Sequence, residues 1–169
     1  MNGLHDLVFI GEIVLQAKIA KRAAERLQAT NESLDKLEVW TSIQAILVSA
    51  ANVSKILWPA KQYRKRGERL RQILQVENNN LLSDRKFRNH FEHYDERIEE
   101  WFNKQPNGAY VDLAMNPSFQ RNSFTNCHRG YDSFNNTLIF RGEILDLDEI
   151  LMALEEIYNR CKPHALDYP

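Results

Sequence analysis

Apolar residues recur near the start of the chain at three- and four-residue steps: Leu7, Ile10, Val14, Ala17, Ala20, Ala24 and Leu27. That spacing lines one face of a helix. The turn formers of "ATNES" follow, and a second helix is predicted from about Asp35 to Trp58. It is apolar at Leu37, Val39, Trp40, Ile43, Ile46, Leu47, Ala50, Val53 and Leu57, dense enough to predict burial on several sides. Trp58-Pro59 stops it, because the residue before a proline is pushed out of the helical region. "KQYRKRGERLRQILQV", residues 61–76, predicts a third helix weakened at Gly67 and ended by "ENNN". A fourth is expected to start with Ser83 as N-cap and Asp84 at the positive end of the helix dipole. It runs to about Asn103, before "KQPNG" breaks it.

Beyond that point the helical period is lost. "RNSFTNC" (121–127) and "NTLIFRG" (136–142) flank a turn-rich stretch and predict the two strands of a small hairpin. "LDLDEILMALEEIYNRC" restores the helical period, with Asp146 or Asp148 near its N-terminus. The pattern therefore predicts a mainly α protein of one domain, residues 1–169: an up-and-down bundle with four core helices over 1–104. A loop and β-hairpin insertion occupies 105–145, with strands confined to about 109–142, and a C-terminal helix spans 146–162.

Composition narrows the function more than the fold. A chain of 169 residues, 43% hydrophobic and 27% charged, is ordinarily globular. Its net charge of −1 means that any nucleic-acid contact rests on a local patch. Two cysteines, Cys127 and Cys161, are too few for a disulfide framework, and reduced thiols in the cytoplasm are expected. Glu12 and Lys18 interrupt the apolar N-terminal stretch, and Gln44, Asn52 and Lys55 interrupt the second, so neither export nor a membrane span is expected. Six glycines argue against a dinucleotide-binding fold. No phosphate-binding glycine loop, serine nucleophile elbow or Cys/His dyad is present, and no cofactor is expected.

The chemistry gathers in the fourth segment, "DRKFRNHFEHYDERIEEWF", residues 84–102. Phe87, Phe91, Tyr94, Ile98 and Trp101 step by four and three and are expected to face the core. Arg85, Asn89, Glu92, His93 and Glu96 fall on the opposite side of the wheel, with Arg88 on the shoulder. Asn89 and His93 are one turn apart, as are Glu92 and Glu96. Histidine transfers protons in both directions near neutral pH, arginine holds phosphate charge, and an amide orients a hydroxyl or an imidazole.

"RNHFEH", with Arg88, Asn89 and then His93, resembles the arginine, polar residue, three spacers, histidine signature of the HEPN superfamily of helical-bundle proteins. The resemblance covers one helix of a four-helix pattern and leaves the hairpin and last helix outside it. It implies a metal-independent endoribonuclease, often a toxin or defence effector, acting as a homodimer; a nuclease held off by an antitoxin or regulatory protein is a separate alternative. It implies His93 as general acid/base, Arg88 as phosphate and transition-state contact, and Asn89 as orienting group. On an ideal helix Arg88 and His93 lie about 140° apart and about 7.5 Å along the axis, so one helix aims them poorly at one phosphate. A two-fold dimer brings the arginine of one chain to the histidine of the other. Arg85 and His90 form a second pair at the same spacing. Arg85, His90, Glu92 and Glu96 are the candidate substrate contacts.

Three alternatives bear on this reading. His90 and His93 with Asp95 or Glu96 suggest a metal, but no Glu-x-x-His on another helix and no His-Glu-x-x-His completes a site, so none is expected. Residues 61–72 carry six basic residues against one acid, either a solvated helix face or an electrostatic footprint for an RNA backbone. The bundle can also be a non-enzymatic module that binds a nucleotide or a protein partner.

Overall fold

The computed structural model describes residues 3–30, 33, 35–84, 89, 92–104, 109–116 and 127–164. The described residues are mainly helical, 67%, with five helices and a small four-stranded mixed sheet towards the C-terminus. The chain divides into two compact units, Met1–Arg85 with Glu149–Pro169, and Lys86–Asp148. The segment expected as fourth core helix falls in the second unit, and nearly all of the C-terminal helix in the first.

The first unit is built on α1 (Leu4–Ala29) and α2 (Lys36–Leu57). Arg26, late in α1, pairs with Glu38, early in α2, while Gln16 meets Asn52 further along. Sequence separations of 12 and 36 residues at the two contacts make the helices antiparallel. Ile10, Ile13, Val14, Ala17 and Ala20 bury against Val39, Ile43, Ile46, Ala50 and Val53, as the period predicts. Leu37, counted with the apolar face, is instead exposed in the first turn of α2, while its neighbours Glu38 and Val39 meet α1 and the core. Asp35 caps α2, accepting from the backbone N–H groups of Leu37 and Glu38.

After Pro59 a 3-10 turn, Lys61–Tyr63, leads into α3 (Arg64–Leu74). Two α3 arginines return to the carbonyls that end α2: Arg66 donates to Lys55 O at 3.2 Å, and Arg71 donates to Leu57 O. Gly67 is not merely a weak point in the helix. A Cβ there would stand 2.6 Å from Leu57 O and against the Pro59 ring, so glycine permits the close approach of α3 to the end of α2. Ser83 ends a 3-10 turn, Leu81–Ser83, that Asn80 caps, and Asp84 is extended, which corrects the expected helix start: Ser83 is not an N-cap and Asp84 is not in a first helical turn. Ile150, Ala153, Leu154, Ile157 and Cys161 of α5 (Leu147–Cys161) are buried at helical spacing. No single described helix is long and apolar enough to cross a membrane.

The second unit holds α4 (Tyr94–Lys104) and strands β1 (Ala114–Met115), β2 (Arg129–Asp132), β3 (Thr137–Phe140) and β4 (Glu143–Asp146), in that order across the sheet. β1 and β2 are parallel; the other pairs are antiparallel. This corrects the expected hairpin. β3 matches "NTLIFRG", but its neighbours are "RGYD" and "EILD", and β4 lies beyond the expected limit of residue 142; of the other expected strand, residues 121–126 lie outside the described residues. The β3–β4 link is the two-residue turn Arg141-Gly142, with φ of 52° and 83°. Two positive φ values match the twist of the flanking strands, which is why a tight hairpin forms there. Leu138, Ile139 and Phe140 are all fully buried.

Candidate functional site

Arg85, Arg88 and His90, with Phe87 and Phe91, lie outside the described residues. Of the other expected site residues, Asn89, Glu92, His93 and Glu96 are all exposed. Asn89 O accepts the His93 N–H at 3.0 Å, and His93 O accepts the Arg97 N–H at 3.1 Å. This i to i+4 bonding sets Asn89 one backbone turn before His93, which stands at a turn directly before the helix that begins at Tyr94.

The imidazole of His93 has a carboxylate partner three residues on. Its Nδ1 lies 3.2 Å from Glu96 Oε1, with His93 51% exposed. Donation from Nδ1 to a carboxylate fixes the tautomer and leaves Nε2 as the acceptor. Glu96, expected as a substrate contact, is thus the partner of the histidine. Asp95 and Glu99, close in sequence, are exposed carboxylates as well. Glu100 takes Arg97 at 2.6 Å, and Arg141 binds Glu100 as well at 2.7 Å. The hydrogen bond from Arg141, with Arg97 beside it, holds the Glu100 carboxyl below its ordinary range.

The aromatic stripe is less buried than its period implies. Trp101 is buried at 5% exposure and Ile98 is half-buried, but Tyr94 is 37% exposed. Its ring has a polar use instead: the Arg129 guanidinium stands 4.4 Å from its centroid. Arg129 in turn makes a two-pronged bond to Asp112, at 2.9 and 2.6 Å, with both side chains nearly buried. His128 is fully buried and packs edge-on to Tyr94 and Phe140 and at a tilt to Tyr110.

These neighbours shift one another. Burial raises the Asp112 carboxyl, but the bonds from Arg129 outweigh it and leave Asp112 below its ordinary value. Burial, with the Asp112 charge next, pushes Tyr110 up to about 12. Tyr94 follows His93 directly, so the cluster anchors the backbone that carries the histidine. Nothing local in the sequence marks it: Asp112 and Arg129 stand 17 residues apart without a motif. No group of three or more His, Cys, Asp or Glu side chains able to hold a metal ion occurs among the described residues. Compared with known proteins, the chain matches no family model, no curated protein and no solved structure.

Proposed function

We propose that the protein is a metal-independent endoribonuclease with His93 as its general acid/base. The observation that carries this reading is the His93–Glu96 pair: an exposed imidazole with a carboxylate at Nδ1, one helical turn after Asn89. A carboxylate at that nitrogen orients the ring and stabilises the imidazolium formed when Nε2 takes a proton. In the proposed reaction Nε2 removes the proton of an RNA 2′-hydroxyl, and that oxygen bonds to the adjacent phosphorus. The bond from phosphorus to the 5′ oxygen breaks, and the imidazolium returns a proton to that oxygen. The products are a 2′,3′-cyclic phosphate and a 5′-hydroxyl end. Arg88, with the role that the HEPN resemblance implies, stabilises the charge on phosphorus, and a homodimer supplies it from the second chain.

A second reading has its own observation. Asp95 and Glu99 are exposed and repel a polyanion, which favours a non-enzymatic helical module whose carboxylates meet a basic protein partner. Incubation with single-stranded RNA and EDTA separates the two. On the enzyme reading RNA is cleaved and the matching DNA is not, because it lacks the 2′-hydroxyl. His93→Ala and Arg88→Ala each lose about 100-fold or more in rate, and mixing the two variants restores part of it. RNA left intact by the parent, or cleaved equally by His93→Ala, overturns the enzyme reading.

A further inference from the structure

The first unit carries a cleft of about 530 Å³ lined by Lys61, Tyr63, Arg64, Lys65, Arg66 and Arg69, with His5 at its α1 side. A cavity of that size accommodates a nucleotide-sized group. Its charge is only partly neutralised within the unit. Arg64 is paired with Glu68 at 2.7 Å, and Arg69 with the fully buried Asp6 at 2.8 Å. Lys61, Lys65 and Arg66 have no carboxylate partner among the described residues, and both lysines are exposed.

Arg66 is held between two rings. Its guanidinium lies 4.5 Å from the centroid of Phe9 and 5.3 Å from that of Tyr63, while one edge donates to Lys55 O. Tyr63 is 52% exposed, so its ring is available to a further planar group. Unneutralised cations around a concavity, with an exposed aromatic ring among them, match the needs of a single nucleic-acid strand. Phosphates meet the cations and a base stacks on the ring, at about 1–3 kcal/mol per base.

We propose that this cleft binds the backbone of single-stranded nucleic acid, with Lys61 and Lys65 on phosphates and a base stacked on Tyr63. An anionic membrane offers the same charge, and Leu4 and Val8 on α1 are exposed. The concave arrangement of the cations and the planar ring favours a strand over a flat bilayer. The proposal does not rest on cleavage at His93, and its test avoids that chemistry.

The full chain carrying His93→Ala is titrated into a fluorescein-labelled oligouridylate, and binding is followed by anisotropy. Two phosphates at about 0.7 per contact predict that affinity falls about 7-fold between 50 and 200 mM salt. Lys61→Glu with Lys65→Glu should weaken binding at least 10-fold. Tyr63→Ala should weaken it about 5-fold or more, and Tyr63→Phe should restore it. These side chains are exposed, so circular dichroism should show an unchanged fold. Absence of salt-dependent binding, or undiminished affinity in the double lysine variant, overturns the proposal. So does loss of binding to phosphatidylserine vesicles in that variant while its RNA affinity is unchanged. Binding by a protein whose parent leaves RNA intact upholds the cleft and overturns only the enzyme reading.

Discussion

The two compact units treat their arginines and lysines differently. In the sheet unit Arg129 is taken by Asp112, and Arg97 and Arg141 are both taken by Glu100; among the described residues close to His93 in sequence, the exposed charges of Asp95, Glu96 and Glu99 are carboxylates. In the helical unit Asp6 and Glu68 are taken by single arginines, and Lys61, Lys65 and Arg66 are left over at one cleft. A chain net charge of −1 therefore conceals a local group of cations at the cleft. Bulk charge is no guide to partners here; the pairing of individual side chains is.

The pair in the sheet unit gives the hardest test of this contrast. Asp112 and Arg129 are 16% and 17% exposed, and removing the carboxylate leaves the guanidinium nearly buried with its ion pair broken. Asp112→Ala should cost about 3 kcal/mol in denaturant melts, with faster amide exchange in β1 and β2. A loss below about 1 kcal/mol would show the pair to be a surface contact. The pH dependence has a definite sign. The folded Asp112 carboxyl lies below its ordinary value of 3.8, so the unfolded chain binds that proton more readily. The stability it contributes is complete above that value and is lost as pH falls through the lower folded one. Asp112→Asn should flatten this acid limb; an unchanged limb would assign acid sensitivity to other carboxylates.

Packing rather than charge decides the next case, in the helical unit. Gly67→Ala adds helix propensity worth about 1 kcal/mol. It also drives a Cβ into Leu57 O and the Pro59 ring, which cannot swing away as a long side chain can. The net effect should be a loss of about 1–3 kcal/mol. A stabilised variant would mean that α3 can slide from the end of α2 without penalty. Because Arg66 donates to Lys55 O from the same helix, such a slide would also loosen the Arg66 end of the cleft.

The same contrast explains what could be read from the sequence. α2 was legible almost to the residue, about Asp35–Trp58 against Lys36–Leu57, because an N-cap, an apolar period and a proline stop are all local signals. The sheet was not. β2 is "RGYD", poor in strand formers; β1 is two residues long and parallel; and β4 abuts a helix whose apolar period absorbs it. At the candidate site, Asn89 and His93 are one turn apart by spacing alone, and Glu96 three residues on is within reach of His93 for the same reason. The Asp112–Arg129 pair and the exposed face of Tyr94 depend on strand pairing between distant segments, which periodicity cannot supply.

The smallest effect is expected where a charged group acts locally and stays in water. Asp35 is exposed, and its Oδ1 accepts from the Leu37 and Glu38 N–H groups at 3.1 and 3.2 Å. Asp35→Ala removes the acceptor for two of the unpaired donors that begin α2, but water can reach them. The cost should be about 1 kcal/mol, against about 3 for Asp112→Ala, although both substitutions delete one carboxylate. Asp35→Ser should recover most of the loss, since a hydroxyl caps nearly as well, and what is not recovered measures the favourable charge at the helix N-terminus. Amide exchange should quicken in the first turn of α2 and leave β1 and β2 unchanged. A loss at Asp35 equal to that at Asp112 would break the contrast, since burial of the partner would then have no bearing on what a carboxylate contributes.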